Sequence, residues 1–178
     1  EDTRVAARRY LEGSAPAGAT VSEFHSDFGE LELSPTAATL SRLLEAQPGK
    51  PIENAIARAR IRALEAGSAP GFRLWRFEPG SQSFAEDDTP APGNPDLLIL
   101  EESPLRFYQA EVPPGIRKLA ASQYSLKRTF RAFGNLGPGT VFNEMDAFYV
   151  PFAGFAGYDR PGPNIFIYEK KSRNPAGL

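Results

Sequence analysis

The stretch "NPDLLILEE", residues 94–102, sets four apolar side chains in succession, Leu97 to Leu100, between a Pro-Asp turn and a pair of glutamates. Side chains of a strand alternate between the two faces of its sheet. An unbroken apolar run is therefore stable only where both faces are covered, as in sheets flanked by helices. The neighbouring segments supply such covers. "EDTRVAARRYLEGSAPAG" reads as a helix: Asp2 or Thr3 accepts hydrogen bonds from the first turn, Ala6, Tyr10 and Leu11 keep helical spacing, and Gly13 and Pro16 end it. "ATVSEFHS" (19–26) alternates as a strand.

Two further helices follow. In "SPTAATLSRLLEAQPG" (34–49) Ser34 is the expected cap, Pro35 the first helical position, and Leu40, Leu43 and Leu44 the buried stripe. In "PIENAIARARIRALEAG" (51–67) Ile52, Ile56, Ala59 and Ala63 face one way, and Arg58 and Arg62 share a solvated face. "FRLWRF" (72–77) predicts a strand, and the acidic, Pro- and Gly-rich residues 78–95 a long exposed loop. "PGIRKLAASQYSLKRTFRAFG" (114–134) reads as a helix that Ser122–Tyr124 could interrupt, and strands are expected near 147–152 and 164–169. This order predicts one α/β domain over residues 1–178. The expected architecture is a three-layer sandwich with a mainly parallel central sheet, its last two strands pairing antiparallel at one edge.

Composition narrows the chemistry. The 178 residues carry a net charge of −2, so no basic field gathers nucleic acid. Cysteine is absent, which excludes disulfides, thiol catalysis and Cys-ligated metal centres. No signal peptide is legible, and the uncharged apolar run from Phe148 to Tyr158 is too short to span a bilayer. The chain reads as a piece processed from something longer. No G-x-S-x-G elbow, P-loop or dinucleotide fingerprint occurs, and no cofactor is implied.

The strongest candidate site is Glu23, His25 and Asp27, two residues apart on a strand and so able to share a face at its carboxyl end, where open α/β sheets bind ligands. Glu101 and Glu102 end the apolar strand and are expected to border the same crevice. A sugar or a divalent ion would suit these groups; a single imidazole is thin support for a transition metal, and the metal is left unassigned. A polar strand end facing water is the plainer alternative. Arg8–Arg9, the Arg58, Arg60 and Arg62 ladder and "LKRTFR" are solvated helix faces or contacts to anionic lipid headgroups. The aromatic segment 148–170 is divided between core and surface, and Phe148, Tyr149, Phe152, Phe155, Tyr158 and Arg160 are its candidate interface residues.

The opening "EDTRVAARRYLEGSAPAGATV", the midway "NPDLLIL" and the closing "DAFYVPFAGFAGYDRPGPNIFIYEK", above all "DRPGPNIFIY" at 159–168, resemble the C-terminal soluble segment of bacterial multipass glycosyltransferases. These are dolichyl-phosphate-mannose-protein mannosyltransferase-like membrane proteins of the GT-C architecture. The resemblance implies a periplasmic domain at the inner membrane, attached to a bundle that uses polyprenyl-phosphate sugar. Its partners would be its own bundle, the membrane surface, and carbohydrate or lipid-linked sugar. The catalytic acid of that family lies in the membrane part, so no catalytic residue transfers to this chain, which would not be an enzyme by itself. The helices at 35–66 and the segment 78–95 are longer than the family leads one to expect. Two rival readings stand beside it. One is a self-standing ligand-binding module or small hydrolase using the Glu23, His25 and Asp27 strand edge. The other is an assembly domain whose exposed aromatics bind protein.

Overall fold

The computed structural model describes residues 1–27, 29–46, 51–67, 70–103, 105, 109–136, 139–142 and 150–172. Helix α1 (Thr3–Ser14) leads into β1 (Thr20–Phe24), then α2 (Ala37–Ala46) and α3 (Pro51–Glu65). Five strands follow: β2 (Arg73–Leu74), β3 (Arg76–Glu78), β4 (Ser83–Glu86), β5 (Thr89–Pro90) and β6 (Leu97–Glu102). Helix α4 (Pro114–Gln123) runs directly into β7 (Tyr124–Phe130), and β8 (Asn164–Lys170) comes last. The protein is α/β, with a five-stranded sheet in the order β2-β1-β6-β8-β7 and a three-stranded sheet β3-β4-β5.

β6 lies in the middle of the large sheet, as its apolar run requires. Leu97 and Ile99 point to one face, where they meet Ala7 and Leu11 of α1, Val21 of β1, Leu31, Leu33 and Phe72. Leu98 and Leu100 point to the other, against Trp75, Phe84, Ile116, Ala120 and Tyr124. The sheet is mixed, not mainly parallel: β1 pairs parallel with β2 and with β6, while β8 pairs antiparallel with β6 and β7. Nor does β8 lie at an edge. It is inserted between β6 and β7, with Ile165 and Ile167 fully buried.

The segment 124–130, expected as helix, is the outer edge strand. Tyr124 closes α4, its amide bonding Ala120 O, and its buried hydroxyl donates to Pro95 O at 2.6 Å. Beyond it the chain pairs with β8, whose outer backbone groups would otherwise be buried without partners. The residues 78–95 are likewise not a loop throughout. β4 lies within them, its Phe84 buried against Phe77 with ring centroids 5.4 Å apart. "FRLWRF" is divided: Arg73–Leu74 joins the large sheet, Arg76–Glu78 the small one, and Trp75 is buried between them.

The helical hairpin also differs from expectation. Thr36, not Ser34, caps α2, its Oγ1 accepting the Thr39 amide at 3.2 Å. Ser34 is buried, with its Oγ accepting from Arg60 Nη2 at 2.6 Å. Leu43 is exposed, and α3 turns Asn54, Ala57, Ile61 and Leu64 inward, leaving Ile52 and Ile56 in solvent. The expected strand at 147–152 falls largely outside the described residues; Val141 and Ala153 form an isolated bridge nearby.

The "NPD" stretch acts at the amino end of the parallel pair. Asp96 Oδ2 accepts from the Thr20 amide at 2.9 Å and hydroxyl at 2.7 Å, and Thr20 Oγ1 accepts the Asp96 amide at 2.8 Å. This exchange sets β1 against β6. Because β8 is central and β7 is an edge, Ile167→Ala is expected to cost about 2–5 kcal/mol in chemical denaturation, while Leu126→Ser stays within about 0.5 kcal/mol. Equal costs would contradict this order.

Candidate functional site

Two adjacent parallel strands, β1 and β6, end side by side, and the chain leaves them in opposite directions. From β1 it passes over the α1 face and returns as β2; from β6 it crosses to α4 on the other face and on to β7. Such a divergence opens a crevice at the carboxyl ends of the strands, the usual ligand position in open α/β sheets. The residues at those ends are Glu23, His25 and Asp27 on one side and Glu101 and Glu102 on the other.

β1 stops at Phe24, so strand alternation does not carry His25 and Asp27 onto the face of Glu23. The three still converge, because the turn after β1 bends around a cleft of about 490 Å³ lined also by Phe77, Gln109 and Glu111. Glu102 borders a second cleft, of about 780 Å³, with Ser103, Arg117 and Phe133. The two clefts share Pro79, Gln109, Glu111 and Pro113 as a common wall. Sequence reasoning passed over Gln109 and Glu111, since they lie in an irregular connection with no periodic signal. Nothing in the residue pattern singles out Arg117, which lies on α4.

Glu101 belongs to neither cleft. Its side chain enters the α1-side core and is 1% exposed. Both its carboxyl oxygens have no hydrogen-bond partner among the described residues. Gly29 closes over it: a Cβ there would fall on Glu101 Oε2 and come within 3.1 Å of His25 Cβ. Burial, and next the nearby Glu23, push the Glu101 carboxyl up to about 9, so it is a neutral acid at pH 7. Burial also pushes Glu23 up, to about 7, against the opposing pull of His25 and of the Leu31 amide, which donates to Glu23 Oε1 at 2.8 Å. His25 Nδ1 lies 2.6 Å from Ser26 O. The cluster thus holds one carboxyl poised at neutrality above another kept protonated, a combination that can bind hydroxyl-bearing ligands or move a proton. Among the described residues no three His, Cys, Asp or Glu side chains are arranged to hold a metal ion.

The aromatic candidates divide. Phe152 is 73% and Phe155 58% exposed, and Arg160 is exposed. Tyr158 is half-buried: its ring stacks on Phe133 at 6.1 Å, and its hydroxyl donates to Gly162 O at 3.2 Å. Phe148 and Tyr149 lie outside the described residues. The segment that carries these rings ends on the first turn of α1. The Thr3 amide donates to Pro161 O at 3.0 Å, and the buried Thr3 hydroxyl donates to Pro163 O at 2.7 Å. Gly162, at φ +106°, has room for no Cβ between Thr3 and Asp2. Asn164 then ties the segment to residues 132 and 133: its Oδ1 accepts both amides and its Nδ2 donates to Phe133 O.

No helix among the described residues is long and apolar enough to cross a membrane. Comparison of the chain with protein-family models, with curated proteins and with solved structures finds no match.

Two outcomes follow from the carboxyl pair. Glu101 binds its proton more tightly folded than unfolded, so its contribution to stability is complete below the ordinary value of 4.5 and is lost as pH rises toward about 9. Glu23 acts in the same direction between 4.5 and about 7. Unfolding free energy should fall across that window by at most about 1.4 kcal/mol per pH unit for each group. Glu101→Gln should flatten the profile; an unchanged slope in urea titrations would contradict the assignment. Gly29→Ala should destabilise by about 1–3 kcal/mol, and less when Glu101→Ala is also present, because the contact it violates is then gone.

Proposed function

We propose that this chain is the non-catalytic, extracytoplasmic C-terminal domain of a polyprenyl-phosphate-sugar-dependent membrane glycosyltransferase of the GT-C architecture. It would be held on the periplasmic face of the bacterial inner membrane, packed on the membrane bundle or positioning acceptor. The observation that carries this reading is the junction of the two chain segments that resemble that family. "DTR" opens α1 and "RPGP" precedes β8, and they meet through Thr3, Pro161, Gly162 and Pro163. Residues 150–158, just before this junction, put Phe152 and Phe155 in solvent. A surface of that kind, beside α1's first turn, suits contact with a neighbouring apolar body. The helical cover of one sheet face by α1, and of the other by α4 with the small sheet, supports the finer description as a three-layer sandwich.

The reading frame upstream of Glu1 tests the proposal directly. It should encode several apolar spans of about 20 residues each. A start codon immediately before Glu1, or only a lone secretion signal, would sink it. In the intact membrane protein, Phe152→Ser with Phe155→Ser should weaken crosslinking of the domain to the bundle. In the isolated chain the same pair should change stability by no more than about 1 kcal/mol, since both rings are exposed. An unfolded double variant would mean that the rings belong to the core.

A second reading is favoured by the poised carboxyls at the divergence of β1 and β6: a ligand-binding module, or small hydrolase, for hydroxyl-bearing molecules such as simple sugars. A ligand at a hundred times its dissociation constant would stabilise the fold by about 2.7 kcal/mol. Thermal unfolding with a panel of monosaccharides and divalent cations should then give a saturable rise that His25→Ala abolishes. A flat response across the panel removes this reading and leaves the first untouched.

A further inference from the structure

The buried Glu101 carboxyl is covered in part by residues that belong to no regular element. Three parts of the chain surround it. The end of β1 brings Glu23, and the first turn of α1 brings Asp2 and Arg4. The third is Gly29–Leu33, whose first residue lies directly against Glu101 Oε2. Helix α1 is fixed in place by Ala7 and Leu11 in the core and by the bonds of Thr3 to Pro161 and Pro163. β1 is paired on both sides. Gly29–Leu33, by contrast, is neither helix nor strand. Leu31 and Leu33 anchor it in the core, and two hydrogen bonds tie its start. The Gly29 amide donates to Ser26 O at 2.9 Å, and the Leu31 amide to Glu23 Oε1 at 2.8 Å. The pair between Arg8 and Glu32, at 3.3 Å, is on the surface and adds little.

A carboxyl that is 1% exposed, with neither oxygen hydrogen-bonded among the described residues, tolerates no charge where it lies. Uncovered, it would meet water and ionise as an ordinary glutamate. The covered state therefore holds one proton that the uncovered state releases. Between the ordinary value of 4.5 and about 9, the equilibrium for uncovering rises about tenfold with each pH unit. The charged neighbours set the direction. Glu23 and Asp2 add repulsion to an ionised Glu101, and Arg4, paired with Asp2 at 2.7 Å, opposes it. His25 and Glu30 act on Glu23 in opposite senses. Ionisation of Glu23 alone does not lift the cover, because a carboxylate is the stronger acceptor for the Leu31 amide. Ionisation of Glu101 is the event that works against it.

We propose that Gly29–Leu31 is a proton-released cover: it lies shut over Glu101 while that carboxyl holds its proton, and lifts locally, with the sheet intact, when the proton leaves. A Cβ at Gly29 would lie 3.1 Å from His25 Cβ, so the cover also rests on the residues that follow β1. His25, Ser26 and Asp27 line the cleft of about 490 Å³. Lifting the cover frees that wall, which couples the proton on a buried acid to the shape of an open cleft. Neither functional reading of the chain is needed for this device, and neither is touched by its failure.

The test is amide hydrogen exchange of the whole chain, followed by NMR from about pH 5 to about pH 8, with reclosing faster than exchange. An amide reached by an opening that releases no proton accelerates about tenfold per pH unit, through base catalysis alone. The Leu31 amide should accelerate about a hundredfold, the extra factor of about ten being the released proton. It should also exchange faster than the Ile167 amide, which is reached only when the sheet comes apart. Glu101→Gln has no proton to lose and should return Leu31 to the tenfold slope. Glu23→Gln should leave the steep slope in place. Exchange at Leu31 no faster than at Ile167 overturns the proposal, since the residues would then open only by global unfolding. A tenfold slope at Leu31 in the native protein also overturns it, as does a steep slope that survives Glu101→Gln. The comparison of Leu31 with Ile167, and the slope at Leu31, are read in the unsubstituted protein and decide the matter even if Glu101→Gln does not fold.

Discussion

The large sheet depends on the insertion of β8 between β6 and β7. β6 has β1 on one side, and its other backbone edge is satisfied only by residues 164–170. β7 has β8 as its one partner in the sheet. Removing β8 would leave two rows of backbone groups unpaired and would take Ile165 and Ile167 out of the core around Ile99, so the core cannot close before β8 arrives. The residues that guide β8 into place act on its entry. Thr3 holds the carbonyls of Pro161 and Pro163, and Asn164 bonds the chain at residues 132 and 133. The beginning and the end of the described chain are thus one structural unit, and long-range contacts of this kind are reached slowly in folding.

The same topology generates the candidate site. β8 covers the far edge of β6, so β6 must send its chain away from β1, and the crevice opens between the two. β6 ends in two glutamates, but their surroundings differ sharply. Glu102 reaches the larger cleft, while Glu101, one residue earlier, is turned by strand alternation into the α1-side core. A carboxyl with no hydrogen-bond partner in such a place is costly when ionised, and taking up a proton is the cheapest relief. Gly29 is what permits the arrangement, because any side chain there would occupy the position of the carboxyl. A buried neutral acid beneath a carboxylate poised near pH 7 is an arrangement with chemical potential, and it contributes nothing evident to stability above neutrality.

Away from the sheet the structure is governed by electrostatics and small packing units. The three-stranded sheet is held to the large one by Trp75, Phe84 and the Glu86 carboxylate, which accepts from both Arg73 and the Trp75 indole. The α2–α3 hairpin has no buried residue in either helix and is anchored through Arg42–Asp87 and Arg60–Ser34. The first is a surface ion pair, which contributes little, and the second a guanidinium–hydroxyl hydrogen bond. The hairpin is thus attached to the domain and adds little to its core.

Much of this was legible in the residues alone. The apolar run of β6, the alternation of β1, the capped start of α1 and the strand at 164–169 are local patterns, and local patterns report secondary structure and burial well. The grouping of Glu23, His25 and Asp27 was legible too, but the expectation that Glu101 and Glu102 border the same crevice was not met: Glu102 lines a second cleft and Glu101 neither. What the tertiary structure alone decided concerns partners. "YSLKRTF" has helical spacing toward Leu119 and strand spacing toward β8, and the demand of a central strand for a second neighbour selects the strand. Ile52 and Ile56 form a stripe in either case, but only packing tells which stripe of α3 meets the domain. Glu101 and Glu102 are identical in the sequence. One became a buried acid and the other a cleft residue because a strand alternates its faces, and only the folded sheet determines which face is covered.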